Sequence, residues 1–379
     1  MLIIQNSSNL RTHIHPISLQ LIKWMSTGPV FKVAEVERFA KDCVLKVGSS
    51  EENAEIFSKV LIRADRMGIK THGLNRLEMY IREIQNKVCD PKAKPTVEKE
   101  TVATALVNGH NSLGHIVGKF AMETAIAKAK KEGVGMAASY DGIHYGVAGV
   151  YTMQAVDAGL IGFTFTNTSP LVVPWGGKDR ALGTNPFSIA APGLDGDCFV
   201  LDMSTSEVAV GKVEVLRKKG LPVPPGWAIN VDGSSATDAE KVVKDPRLLP
   251  FGSPECGHIG YGLSVMVEMI TGVLSGADFG PFIKEFTDPT RKSNLGYSFI
   301  AIDPTLFNQD FKKRISQYLN HIRSLPPIVP NQPVLIAGDM ERINLKKTDE
   351  IGVLDYPPMQ VELSAKLAKS IGVTPLTPV

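Results

Sequence analysis

Apolar residues recur at three- and four-residue steps from Val33 to Arg66, with Val36, Phe39, Ala40 and Val44 on one face, which predicts helix. Ser49 and Ser50 ahead of Glu51 and Glu52 form an N-terminal capping arrangement, so the stretch reads as two helices. A Pro- and Lys-rich turn from Cys89 to Pro95 closes this opening unit. A strand-like run from Thr101 to Val107 follows and ends in Asn108-Gly109. An alternation then predicts a helix from Ile116 to Lys131 stopped by Gly133, a strand from Val134 to Ser139, a helix from Val147 to Ala158 stopped by Gly159, and a strand from Leu160 to Thr166. That is α/β architecture. Beyond it the pattern gives Pro/Gly loops, a strand from Phe199 to Met203, a helix from Tyr261 to Leu274, a strand from Ser298 to Ile302 and a helix from Phe311 to Ile322. Packing of the late helices on the opening ones would make a discontinuous, mainly helical domain: residues 33–90 as its first part, and 256–379 as its second part with the C-terminal segment. Residues 91–255 would be an α/β domain inserted between them.

Composition narrows the partners. Hydrophobic residues at 43% and charged residues at 21% exclude a disordered or collagenous chain. Forty-one Lys and Arg against 39 Asp and Glu leave a net charge of +2, too balanced for nucleic acid or an anionic membrane as the main partner. A small-molecule substrate is the default. No apolar run approaches the ~20 residues of a membrane helix, and the richest stretch, Leu263 to Leu274, carries Glu268. The four cysteines lie far apart and read as free thiols of a reducing, cytoplasmic compartment. Without an HExxH helix or a His/Cys cluster, no metal site is expected. The first 34 residues hold no acid, three cations and two histidines. Residues 1–32 are therefore a disordered tail or, alternatively, a mitochondrial transit peptide.

Gly133-Val134-Gly135-Met136-Ala137-Ala138 matches the dinucleotide fingerprint G-x-G-x-x-A, but its context is wrong. A phosphate loop follows a strand and opens a helix, whereas these glycines follow a Lys-rich helix end and open a strand. Any nucleotide site must be built without that loop. Four other segments carry chemistry. The first holds Thr71, His72, Arg76 and Tyr80: a helix from Leu74 would start beside His72 and stack Arg76 on Tyr80 at i, i+4, a set able to grip a carboxylate and pass a proton. The bland reading is a capped surface helix. The second is His144 between Gly142 and Gly146, at the end of a strand, able to approach a ligand closely or, equally, a structural histidine that satisfies a loop carbonyl. The third joins Thr166, Asn167 and Thr168 to Asn185, uncharged groups that suit an amide or a sugar and equally suit turns. The fourth is Asp202-Met203-Ser204, an acid fit for a ribose hydroxyl, for orienting a histidine or for a helix cap.

From about Val33 to Gly372 these segments, in order, resemble the type-2 malate/L-lactate dehydrogenase family, which also contains sulfolactate, ureidoglycolate and diketogulonate oxidoreductases and a cyclic-imine reductase. Gly177 to Pro186, Gly226-Trp227-Ala228, Gly257 to Leu263 and Asn294-Leu295-Gly296 extend the match. The resemblance implies a homodimeric oxidoreductase using NAD, or alternatively NADP, with a mixed-sheet, non-Rossmann domain for cofactor and substrate. It implies His144 and His72 as candidate acid/base groups, since family members use one or the other. Thr71, Arg76 and Tyr80 fall on the substrate side. Thr166, Asn167, Thr168, Asn185, Asp202, Met203, Ser204, His258, Ile259, Gly260, Gly338 and Asp339 fall on the cofactor side. This chain has Ile259 where the family carries Lys, and Ala337-Gly338-Asp339 where it carries Pro-Gly-Glu; losing a cation there weakens phosphate binding. The expected reaction interconverts a 2-hydroxy acid, malate first and lactate next, and its 2-oxo acid. The alternatives are reduction of another α-keto or imino acid, or nucleotide binding with little catalysis.

Overall fold

The computed structural model describes residues 28–218, 220–285 and 288–379. The expectations for residues 1–27 lie outside them. Val30–Lys32, assigned by sequence to the tail, instead forms a strand, β1, paired antiparallel with a late strand, Val353–Asp355. The two opening helices are Val33–Lys46 and Glu51–Arg66, and the Ser50 side chain caps the second by accepting from the Asn53 N–H at 3.2 Å. Their apolar faces meet in one core with the helix Leu77–Gln85 and with Leu354, Tyr356, Leu367 and Ala368 from the end of the chain.

The main sheet has seven strands: β2 (Thr96–Glu100), β3 (Thr104–Asn108), β4 (Val134–Gly142), β5 (Ile161–Thr166), β6 (Phe187–Pro192), β7 (Cys198–Met203) and β8 (Leu295–Ile302). Their order across the sheet is β2-β3-β4-β8-β5-β6-β7. Only β3 and β4 pair parallel; every other neighbouring pair is antiparallel, so the sheet is mixed. The strand expected from Thr101 to Val107 starts only at Thr104, because Thr101 to Ala103 form a turn between β2 and β3 in which the Thr101 and Thr104 hydroxyls share a hydrogen bond. Strand β6 was not anticipated, since Asn185-Pro186 reads as a turn.

The second boundary also needs correction. The span after residue 256, expected to return at once to the helical unit, first supplies β8, which lies between β4 and β5. The helix Gly257–Glu268 and the π-helical turn Met269–Val273 pack against this sheet. The chain rejoins the core of the opening helices through the helices Asp339–Ile351 and Pro358–Ile371 and the segment with Leu354 and Tyr356 between them.

This order sets up the site. Strands β4 and β5 are both antiparallel to β8, hence parallel to each other, and Tyr297 of β8 faces Ser139 on one side and Thr166 on the other. The loops that leave β4 and β5 therefore emerge together, beside the segment that enters β8. The decoy glycines resolve as the sequence context requires. Gly133 adopts a left-handed φ of 84° at the end of the helix Gly114–Glu132, and a Cβ on Gly135 would strike the Ala125 carbonyl of that helix.

Candidate active site

A cleft opens where the helix Leu77–Gln85 faces these loops. Its lining includes His72, Arg76, Glu83, His144, Thr168 and Lys284, with Leu171 and Val210 among its apolar parts. The His72 to Arg76 segment is set by a buried acid: Asp65 accepts from the Leu74 N–H at 2.8 Å and from the Tyr356 hydroxyl at 2.8 Å. Gly73 is required beside it, because a Cβ there would collide with the Asp65 carboxylate. Leu74–Arg76 is a single 3₁₀ turn rather than the α-helix expected from Leu74, and the α-helix starts at Leu77. Arg76 Nε donates to the Thr71 carbonyl at 2.8 Å, and Nη2 lies 3.9 Å from Glu214.

His144 comes from the β4 loop. The Tyr297 hydroxyl donates to the Ile143 carbonyl, and Gly142 leaves room for that phenol. Tyr80, fully buried, places its hydroxyl 2.5 Å from His144 Nδ1, and the Gly146 nitrogen lies 3.3 Å from the same atom, so the tautomer decides which ring nitrogen is the acceptor. Nε2 is left without a partner among the described residues. The His72 ring stacks on His144 with centroids 5.7 Å apart, and His72 Nδ1 lies 2.9 Å from Thr71 Oγ1. Both imidazoles keep part of their surface open to the cleft, while protein atoms surround them on most sides. Desolvation, then the Arg76 charge, holds His72 down at about 4. Desolvation, then His72, Arg76 and His115, holds His144 well below the usual imidazole value. Both rings are therefore neutral at neutral pH.

The β5 loop supplies Thr166, Asn167 and Thr168, all on the lining. They are braced from behind by Glu268, a buried carboxylate that accepts from Asn167 Nδ2 at 3.1 Å, Asn185 Nδ2 at 2.9 Å and the Gly280 N–H at 3.1 Å. Asn185 is not on the cleft lining. Its amide turns inward to Ser264 and Glu268, and its Oδ1 accepts from the Thr168 N–H at 3.1 Å. The hydroxyls of Thr168 and Thr184, 3.3 Å apart, belong to residues on the lining, and Thr168 Oγ1 accepts from the Thr184 N–H at 2.9 Å.

Other predicted residues fall outside the lining. Asp202 Oδ2 accepts from the Gly149 N–H at 2.6 Å, at the start of the helix Gly149–Asp157, which is the capping role. Met203 lies opposite Phe187 in the sheet, and Ser204 donates to the Ser206 carbonyl. His258 packs edge-on to Trp175, Ile259 is exposed, and Gly260 is buried against Phe251. Gly338 has a left-handed φ of 94° before its helix. Asp339 is paired with Arg323 at 2.8 Å and also with Arg342.

Sequence reasoning missed Lys284 and Glu83, a buried ion pair at 2.9 Å on the cleft wall. The available signal was helical spacing, because Arg76, Tyr80 and Glu83 recur at i, i+4 and i+7. Glu268 was visible as a lone acid in an apolar helix but was read only as evidence against a membrane span.

The sequence profile of the malate/L-lactate dehydrogenase family matches residues 31–362. A malate dehydrogenase of Pyrococcus horikoshii is 38% identical over 86% of this chain and 91% of its own length. An L-sulfolactate dehydrogenase of Methanocaldococcus jannaschii is 38% identical over 84% of this chain and 91% of its own. The solved malate dehydrogenase of Entamoeba histolytica superposes with a TM-score of 0.87 at 32% identity, covering 92% of this chain and 99% of that one. A cleft that brings together two imidazoles, a guanidinium and hydroxyl-bearing loops thus has a family to match, and the chain belongs to the malate/L-lactate dehydrogenases, hydroxy-acid dehydrogenases that use a nicotinamide cofactor.

Proposed function

We propose that the protein interconverts a 2-hydroxy acid and its 2-oxo acid, with malate as the first substrate and lactate next, using NAD, with NADP as the alternative. The observation that carries this is His144. In the tautomer with its proton on Nδ1, donated to the Tyr80 oxygen 2.5 Å away, the other nitrogen is a bare acceptor left for a ligand in a cleft that also holds Arg76. In the oxidative direction Arg76 grips the C1 carboxylate, and Nε2 of neutral His144 takes the hydroxyl proton. Tyr80 holds the ring through Nδ1. His72, tied to Thr71 and stacked on His144, keeps the second ring neutral and in place, so we assign it to positioning and His144 to proton transfer.

The residues present fit the cofactor. Thr168 and Thr184 hydroxyls beside apolar Leu171, Ala209 and Val210 suit an amide on an aromatic ring. A sheet with one parallel pair supports a non-Rossmann mode of binding. The bound nicotinamide would supply or accept the hydride at C2. Asp202, Ile259 and Asp339 are further from this reading, since each is engaged or placed elsewhere than on the lining.

The partner we propose is a second copy. Tyr261, Val265, Met269 and Val273 recur at four-residue steps along one ridge, all exposed. Oxidation of NADH with a panel of 2-oxo acids tests the functional reading. Turnover of oxaloacetate above pyruvate is expected, and binding of NADH without turnover of any would favour the nucleotide-binding alternative.

A further inference from the structure

Lys284 and Glu83 sit on the cleft wall almost out of contact with solvent, at 4% and 7% exposure. Burying a charged pair is a poor way to stabilise a fold, since apolar residues of similar volume usually serve as well or better. Its presence beside the proton-transfer group calls for a ligand. Lys284 Nζ donates to Glu83 Oε1 at 2.9 Å, which uses one of the three ammonium donors, and Glu83 Oε2 has no hydrogen-bond partner. The pair is incomplete as it stands.

Geometry indicates what completes it. Arg76, the N-cap residue of the helix Leu77–Gln85, and Glu83 lie seven residues apart, about 10 Å at a helical rise of about 1.5 Å per residue, and both residues line the same cleft. A ligand gripped by Arg76 at one carboxylate therefore extends towards Lys284. Glu83 aims the ammonium, and the donors it leaves are suited to an anion.

We propose that Lys284, aimed by Glu83, holds the second acidic group of a dianionic 2-hydroxy acid and so sets a preference for diacids over lactate. The inference rests on reading the cleft as a 2-hydroxy acid site. An oxygen acid at that end, carboxylate or sulfonate, accepts from Lys284, whereas the methyl group of lactate offers nothing to it.

Calorimetric titration in the presence of NADH, which cannot turn over with a hydroxy acid, reads this without catalysis. Malate should bind about ten- to a hundredfold more tightly than lactate, the share of one hydrogen bond to a charged group. Lys284→Met should remove most of that ratio. The neutral pair Glu83→Gln/Lys284→Met should do the same without stranding a buried charge, and Lys284→Arg should restore part of it. A double variant that keeps the wild-type ratio overturns the proposal. Equal loss of both ligands gives the pair a merely structural role and overturns it too. Tighter binding of the C4 monoamide of malate than of malate itself would make the free Glu83 oxygen the reader, and Lys284 would then lose the role assigned to it. A wild-type protein that binds malate through Lys284 yet oxidises no hydroxy acid would sink the functional reading alone.

Discussion

At the residue scale, the cleft departs from the simple expectation that a catalytic imidazole titrates near its ordinary value of about 6.5. His144 lies well below it, through burial first and neighbouring positive charge second. For oxidation the ring must be neutral, so kcat/KM should hold as pH falls through 6.5 and drop only at lower pH, where the free enzyme protonates. A bound carboxylate cancels the Arg76 charge and should raise the imidazole value, so the acid limb of kcat should lie at higher pH than that of kcat/KM. Arg76→Gln should move the kcat/KM limb upward and cost tens- to thousands-fold in kcat/KM, as loss of a buried charged partner does. Coincident limbs in the wild type, or an acid limb unmoved in Arg76→Gln, would detach Arg76 from His144. His144→Asn should abolish the limb altogether.

At the element scale, the hydroxyl-bearing loop depends on one carboxylate in another helix. Glu268 serves three buried donors, from Asn167, Asn185 and Gly280. Leaving a buried donor unpaired costs about 1–3 kcal/mol, so Glu268→Leu should destabilise the protein by about 2–5 kcal/mol in urea unfolding. Because the loop loses its brace, NADH binding should weaken as well, and Glu268→Gln should show smaller changes in both. Unaltered NADH affinity in a folded Glu268→Leu protein would mean that the loop holds its shape without the brace. This network also marks the limit of sequence reading. Helix stops at Gly133 and Gly159 and the cap at Ser50 were legible because their causes are local in the chain. The inward turn of Asn185 was not legible because its partners, Ser264 and Glu268, are remote in sequence. Asp339 is comparable: its ion pairs with Arg323 and Arg342 come from tertiary packing that no motif announces. The imidazoles and Arg76 were legible because the four-residue spacing of Arg76 and Tyr80, which runs from the 3₁₀ turn into the helix, and the position of His144 after a strand, already implied convergence. Lys284 was not, since its meaning comes from Glu83, far earlier in the chain.

At the scale of the whole molecule, the exposed ridge from Tyr261 to Val273 is continuous with the helix that carries Glu268, so a second copy seated there would press on the brace of the loop that carries Thr166 to Thr168. Val265→Asp places a charge in the middle of that ridge and should shift the proposed dimer towards monomer in sedimentation velocity. A dimer that persists unchanged in Val265→Asp would locate the interface elsewhere. The position of β8 has a different consequence. β4 and β5 have no contact of their own in the sheet order and are joined only through a strand made roughly 130 residues after β5. During synthesis both strands present open edges until Leu295–Ile302 has left the ribosome. The two loops that carry His144 and Thr168 therefore cannot be held side by side before then, so the nascent chain acquires its site late, in a step of long loop closure, and its slowest folding event and its catalytic competence should coincide.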